Sequence, residues 1–202
     1  MPSNTYRAIR AKQTPITVTV YQAYSPEIAN AALKAQTFVT PFSRARMTWI
    51  KPSFLWMAYR SGWATKVRQE RVLAVEITRE GFEWALPHSC LSHHTPGEMS
   101  QNEWREKLRA SPVRIQWDPE RDLSLRALDY RSIQVGLSGE AVGRYVDDWI
   151  VSVTDVTATM REIEGYLKDG DINAARDCLP EETPYVLPED LQELVGINWM
   201  DH

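Results

Sequence analysis

RVLAVEI, the stretch from Arg71 to Ile77, is apolar at nearly every position. This pattern is typical of a strand buried on both faces, so the segment predicts a buried strand. Upstream, ITVTVY from Ile16 to Tyr21 is β-branched and alternating, which predicts a second strand. Ser25-Pro26-Glu27 then opens a helix, with the serine as N-cap and the proline in the first turn.

The helices farther along are predicted from their end signals. FLWMAYR begins after Pro52 and should end at Gly62. Capping boxes at residues 100–103 and 159–162 precede the helical segments EWREKLRA and REIEGYLKDG.

The remaining strands complete the predicted fold. VRIQW, residues 113–117, is predicted as a strand closed by a turn at residues 118–120, and YRSIQVGL, residues 130–137, as another. Residues 150–153 are either a short strand or the exit of the preceding helix. Because strands and helices alternate irregularly, the predicted class is α+β, with a central, partly antiparallel sheet flanked by helices. No repeat or linker divides the chain, so residues 1–202 are predicted to form a single globular domain.

Composition indicates an ordinary globular protein. Hydrophobic residues make up 43% and charged residues 25% of the 202 residues, far from the signature of disorder. The two cysteines, Cys90 and Cys178, lie far apart, so we expect free thiols in a reducing compartment. The sequence carries no export signal or membrane-length apolar run, so we expect a cytoplasmic protein without a membrane partner.

Charge is distributed unevenly along the chain. Residues 1–79 hold 12 Lys and Arg against 3 Asp and Glu, whereas residues 80–202 hold 11 against 24. Such asymmetry is a hint of an anionic partner. The alternative is that the basic and acidic parts pair with each other across one fold.

The segment SRARMTWIKPSFLWMAYRSGWATKVRQER, from Ser43 to Arg71, interleaves cations with aromatics. Such a pattern suits a surface that stacks a base and binds its phosphates. The candidate phosphate ligands are Arg44, Arg46, Lys51, Arg60 and Lys66, and the candidate stacking residues are Trp49, Trp56 and Trp63. The structural alternative is that Trp56 belongs to the core and that Arg60 pairs with an acidic residue of the segment 80–202.

Acid or base candidates lie elsewhere in the chain. His88 belongs to a residue type that titrates near neutral pH, and Asp118 and Glu120 are carboxylates at the predicted turn, where a solvated acidic turn explains them equally. Arg131 and Gln134 lie on a predicted strand, and polar side chains there favour a cleft. No metal site is predicted, because HSCLSHH matches no established ligand spacing.

Four long phrases resemble one known family. RMTWIKPSFLWMAYRSGWATK, ERVLAVEITREGFEWAL, PVRIQWDPERDL and YRSIQVGLSGEAVGRYVDDWIVSVTDVT follow one another across nearly the whole chain. They are similar to the family designated as domain of unknown function 4291. The resemblance implies one full-length domain, and it brings no activity and no catalytic residues.

The leading functional hypothesis is a transferase-type enzyme that acts on a nucleotide or a nucleic acid through a basic and aromatic cleft. The opening order of strand, helix and cation-rich segment is loosely compatible with ADP-ribosyltransferase-like folds, and NAD or another nucleotide is the cofactor class that such a cleft would take. No Walker-type or dinucleotide-type phosphate loop is present. The sequence does not identify the cofactor, the substrate or the oligomeric state.

Two alternatives remain open. One is a non-catalytic module that binds nucleic acid or an acidic protein through the same basic face. The other is a structural protein whose two halves neutralise each other. An enzyme needs a pocket in which cations converge with at least one His, Asp or Glu, whereas a binding module needs only an open groove.

Overall fold

The segment predicted as a buried strand forms β4 (Arg71–Thr78), the middle strand of a three-stranded sheet. The computed structural model describes residues 6–94 and 99–197. The other strands are β1 (Arg10–Ala11), β2 (Thr17–Tyr24), β3 (Thr48–Ile50), β5 (Ser89–Leu91), β6 (Val113–Arg121), β7 (Ala127–Leu137), β8 (Ile150–Asp155) and β9 (Thr183–Pro184). The helices are α1 (Pro26–Ala35), α2 (Phe54–Ser61), α3 (Arg79–Ala85), α4 (Gln101–Ala110), α5 (Glu140–Arg144), α6 (Thr157–Asp169), α7 (Ile172–Asp177) and α8 (Glu189–Val195), and a π-helical turn (Tyr145–Trp149) follows α5.

Two sheets contain most of the strands. The first has the order β2-β4-β8 and the second β3-β7-β6-β5, while β1 and β9 form a two-stranded ribbon. Among the described strands, neighbours pair antiparallel in every case except β5 with β6. The predicted α+β class is confirmed. The predicted strands divide between the sheets, since β2 and β4 lie in the first and β6 and β7 in the second.

The two sheets meet at the end of β3. The amide of Tyr21 in β2 donates a hydrogen bond of 2.7 Å to the carbonyl oxygen of Lys51, which forms an isolated bridge. Beneath this junction, Val20 from the first sheet and Ile115 and Val135 from the second belong to one cluster of buried apolar side chains. The sheets therefore share a core, and the backbone of Lys51 is fixed where they join.

Helix α2 begins and ends as predicted. The hydroxyl of Ser53 accepts a hydrogen bond of 3.0 Å from the amide of Trp56, and Gly62 adopts a left-handed conformation with φ 59° that ends the helix. The same Ser53 hydroxyl donates to a carboxylate oxygen of Glu120 at 2.8 Å, and the Phe54 amide donates to Glu182 at 2.7 Å. The start of α2 is therefore held by β6 and by the segment that precedes β9.

The predicted turn at residues 118–120 is wrong, because β6 continues through it to Arg121. Asp118 pairs with Ser132 of β7 and Pro119 with Arg131, and the register shifts beyond Pro119. Proline is tolerated at such an irregularity, where it need not donate to the ladder.

The predicted start of α6 is also wrong. The helix begins at Thr157, and its N-cap Val156 makes no side-chain cap, so Thr159 lies within the first turn rather than before it. The Thr157 hydroxyl accepts a hydrogen bond of 2.9 Å from the amide of Val72 in β4. The capping box at residues 100–103 is confirmed at α4, and residues 150–153 belong to a strand, β8. Within residues 6–94 and 99–197, no helix has the length and apolarity needed to cross a membrane.

Candidate functional site

A cleft of about 1110 Å³ opens beside the junction of the two sheets. Its walls come from β2 in the first sheet, from β3, β6 and β7 in the second, and from α1, α2 and the segments that flank β3 and follow α2. This volume is slightly above the usual range of small-molecule sites, roughly 300–1,000 Å³. The cleft is thus large enough to take a ligand with several functional groups.

Among the residues that the structure describes, four cations line the cleft, against two carboxylates. Arg46, Arg60 and Arg68 are exposed, whereas Lys51 is buried. The carboxylates belong to Glu27 and Asp118. The surplus of positive charge makes the cleft attractive to an anion, and guanidinium groups are suited to binding phosphate in a planar, two-point geometry.

Lys51 has an environment unlike that of the other cations. It is only 5% exposed, and its ammonium lies 4.9 Å from the centre of the Trp56 ring. Burial and the positive charge of Arg60 lower the pKa of the Lys51 amine from 10.5 to about 7, and the Asp118 carboxylate opposes this shift. Near neutral pH this side chain is therefore present both as ammonium and as free amine.

Asp118 is held by two amide side chains. Gln116 Nε2 donates to Asp118 Oδ1 at 2.9 Å, and Gln134 Nε2 donates to Asp118 Oδ2. All three residues line the cleft, from β6 and β7. Gln116 and Asp118 are two residues apart on one strand, so they face the same side. The carboxylate is consequently fixed in orientation at the wall of the cleft.

A second polar network fixes the β2 side. Gln22 Nε2 donates to the Thr48 hydroxyl at 2.6 Å and to the Tyr24 hydroxyl at 2.9 Å, while the Tyr145 hydroxyl donates to Gln22 Oε1 at 2.6 Å. Burial raises the pKa of Tyr24 to about 12, although its hydrogen bond with Thr48 opposes the shift. The phenol therefore remains protonated at neutral pH and acts as part of a rigid wall.

Two tryptophans supply aromatic surface. Trp49 is partly exposed and lies against Gly136 of β7, where an added Cβ would approach its ring to 2.9 Å. Trp56 is 7% exposed, and its indole nitrogen has no hydrogen-bond partner within the described part of the chain. Both line the cleft. Trp56 thus combines the burial expected of a core residue with a position at the site.

Three candidates from the basic segment lie outside the lining of the cleft. Arg44 pairs with the exposed Asp147 at 2.7 Å. Lys66 donates to the carbonyl oxygens of Tyr59 and Arg60, at the end of α2. Trp63 is 8% exposed and packs in the apolar cluster beneath α2. The structure gives each of them a structural contact.

Three candidates from other parts of the sequence also lie outside the lining of the cleft. His88 stacks on Trp84 with ring centres 3.8 Å apart, away from the cleft. Glu120 lies beyond Pro119, where the register of β6 shifts, and it is buried against Ser53, where burial raises the pKa of its carboxyl group. Arg131 donates to the Tyr6 hydroxyl at 2.6 Å and to a backbone carbonyl. None of these three lines the cleft.

Several lining residues were not candidates from sequence. Gln116 could have been found, because it precedes Asp118 by two positions on a predicted strand. Arg68 lies within the basic segment that supplied the other cations. Gln22 and Tyr24 carry no local signal, since contacts between distant strands, including the Tyr21–Lys51 bridge, bring β2 to the cleft.

The chain belongs to the family described as Domain of unknown function (DUF4291), whose model matches residues 8–185. No curated protein matches the chain. The family match spans every residue that lines the cleft.

Proposed function

We propose that the protein is a transferase-type enzyme that binds a nucleotide in the cleft between its two sheets. The exposed arginines Arg46, Arg60 and Arg68 bind the phosphates. Trp49 and Trp56 provide the aromatic surface against which the base lies. Asp118 is the candidate general base.

The observation that carries this proposal is the convergence of three kinds of group in one concave site. Cations, aromatic rings and an oriented carboxylate line the same cleft. A purely structural pairing of the basic and acidic parts would neutralise these arginines with acids, as Asp147 does for Arg44. Arg46, Arg60 and Arg68 instead border a cavity, where an incoming anion would find them.

A concave site with an oriented carboxylate favours an enzyme over an open binding face. Asp118 can accept a proton from a substrate hydroxyl if the two lie within hydrogen-bonding distance. The two amides that hold it keep the carboxylate in one orientation, which reduces the entropy lost on reaching a reactive geometry. A binding module would need the arginines and aromatics but no such carboxylate.

Binding is tested by melting the protein in the presence of ATP, NAD and a short single-stranded RNA. A ligand that binds the native state raises the melting temperature, by an amount set by its concentration relative to Kd. We expect ATP or NAD to raise it, and Arg60→Ala to remove most of the rise. Because Arg60 is exposed, this variant should melt near the wild-type temperature without ligand.

Arg44→Ala is the matched control, since it removes an exposed arginine of the same segment that lies outside the cleft. It should leave the ligand response unchanged. Equal responses in Arg60→Ala and wild type would refute binding at this cleft. A response to RNA alone, falling steeply with salt, would favour the binding module, because phosphate contacts on a polymer release counterions. Turnover of the bound nucleotide, followed by chromatography, should be lost in Asp118→Asn.

A further inference from the structure

The amine of Lys51 is a buried polar group that the fold does not use. Its Nζ makes no hydrogen bond or ion pair within residues 6–94 and 99–197, and its contact is the face of the Trp56 ring. Burial of the Lys51 side chain removes much of the hydration of its ammonium, which disfavours the charged form. Structural lysines usually avoid this by reaching water or an acid.

Burial and the positive charge of Arg60 favour the neutral, nucleophilic form of this amine, and the Asp118 carboxylate opposes them. Arg60 faces it from α2, Asp118 from β6, and Arg46, Arg68 and Glu27 complete the charged lining. The amine lies in the wall of a cavity of about 1110 Å³, so a ligand can reach it. With a pKa of about 7, about half of the Lys51 side chains are free amines at neutral pH, against roughly one in 2,500 for an ordinary lysine.

Phosphate binding alone does not require such a lysine. The three exposed arginines supply permanent charge and two-point donors, whereas a partly neutral amine is a weak phosphate ligand. Lysines made nucleophilic by an apolar site and a neighbouring cation are those that form imines with carbonyl compounds. The arrangement at Lys51 contains both features, with Trp56 as the apolar neighbour and Arg60 as the cation.

We propose that Lys51 is a nucleophile that adds to the carbonyl carbon of a phosphate-bearing aldehyde and holds it as an imine. Only the phosphate part of this inference rests on the proposed function. The amine lone pair forms the C–N bond while the C=O pair moves to oxygen. That oxygen takes up two protons in succession, both from the nitrogen, with Asp118 as the nearby carboxylate that relays them. It then leaves as water while the nitrogen lone pair completes the C=N bond. An amine and an aldehyde thus give an imine and one molecule of water, with no redox change.

Pyridoxal 5′-phosphate is the probe, because it carries an aldehyde, an aromatic ring and a phosphate, and its imines absorb visible light. The full chain is mixed with the probe at pH 7, reduced with borohydride and digested for mass spectrometry. We expect one reduced adduct, on Lys51, and its loss in Lys51→Arg. Lys66→Arg removes an exposed lysine of the same basic segment and should leave the labelling unchanged. Labelling spread over exposed lysines, with Lys51 unmodified, would overturn the inference.

A second variant keeps the test decisive if Lys51→Arg folds poorly. Arg60→Gln leaves the amine in place and removes the positive charge that lowers its pKa. The pH midpoint of imine formation should rise in this variant relative to wild type. An unchanged midpoint would show that Lys51 is not the group that reacts.

The contribution of the phosphate to imine formation is tested by comparing the probe with pyridoxal, which lacks the phosphate. We expect half-maximal imine formation at a roughly tenfold lower concentration of the phosphorylated compound, about the contribution of one charge-assisted hydrogen bond. Equal concentrations would refute recognition of a phosphate-bearing aldehyde. The melting experiment with ATP and NAD uses no aldehyde, so either proposal can fail while the other stands.

Discussion

Replacing Lys51 by methionine should stabilise the protein at neutral pH. The methionine side chain retains most of the volume against Trp56 and removes a charge that burial disfavours. The pKa of Lys51 falls from 10.5 to about 7 on folding. Each pKa unit corresponds to 1.36 kcal/mol, so at pH 7 the lowered pKa of Lys51 destabilises the folded state by about 4 kcal/mol. Loss of the contact between the ammonium and the Trp56 ring reduces this gain in stability by about 1 kcal/mol. We therefore expect a net gain of ~3 kcal/mol.

The direction of the Lys51 pKa shift determines how the stability of the protein depends on pH. Because the folded pKa is lowered, the unfolded chain binds more protons between pH 7 and 10.5, so this linkage makes wild-type stability rise with pH across that window. The destabilisation caused by the lowered pKa of Lys51 falls to about 1 kcal/mol at pH 9.5, so the stability gained by Lys51→Met should become smaller. Urea unfolding of both proteins at pH 7 and 9.5 measures this difference, and Glu182, whose pKa burial raises to about 8, is common to both.

Lys66→Met is the control, because Lys66 is exposed and caps carbonyls at the end of α2. It should not stabilise the protein at either pH. The reasoning fails if Lys51→Met is less stable than wild type at pH 7, or if its advantage is equally large at pH 9.5.

Two further substitutions test the walls of the cleft. Gly136→Ala places a Cβ about 2.9 Å from the Trp49 ring; the ring must shift, and we expect a loss of ~1–3 kcal/mol in urea unfolding with altered tryptophan emission. Unchanged stability and emission would contradict this contact. Ser53→Ala removes the α2 cap and the hydroxyl that donates to buried Glu120, so unfolding free energy should fall by ~2–3 kcal/mol. A loss under ~0.5 kcal/mol, as at an ordinary surface position, would exclude that role.

Local patterns were sufficient where the structure depends on neighbours in sequence. The apolar run at β4 predicted its strand, and Ser53 and Gly62 predicted the ends of α2. They failed where a distant strand decides the outcome. Asp118-Pro119-Glu120 has the composition of a turn, but pairing with β7 keeps it extended. In the same way, α6 begins at Thr157, whose hydroxyl accepts a hydrogen bond from Val72 of the distant strand β4, and the capping box expected at Thr159 does not form.

The lining of the cleft was also predictable only where it depends on neighbours in sequence. The basic segment supplied Arg46, Arg60, Trp49 and Trp56, because their type and spacing are visible in one stretch. The burial of Lys51 could not be predicted, since it depends on the junction of the sheets and on the placement of α2 over β6. Sequence assigned Lys51 to phosphate binding, and its burial is what suggests nucleophilic chemistry instead.

The bridge between Tyr21 and Lys51 provides a spectroscopic reporter of the site. Tyr21 donates its amide across the junction, so exchange of that hydrogen with solvent deuterium requires the two sheets to separate locally. The acceptor is the carbonyl of the residue that carries the reactive amine, so the same separation displaces the amine. The exchange rate of one backbone hydrogen therefore measures how often the cleft loses its arrangement. A ligand that contacts both walls should slow this exchange far more than exchange at the opposite edge of the same sheet.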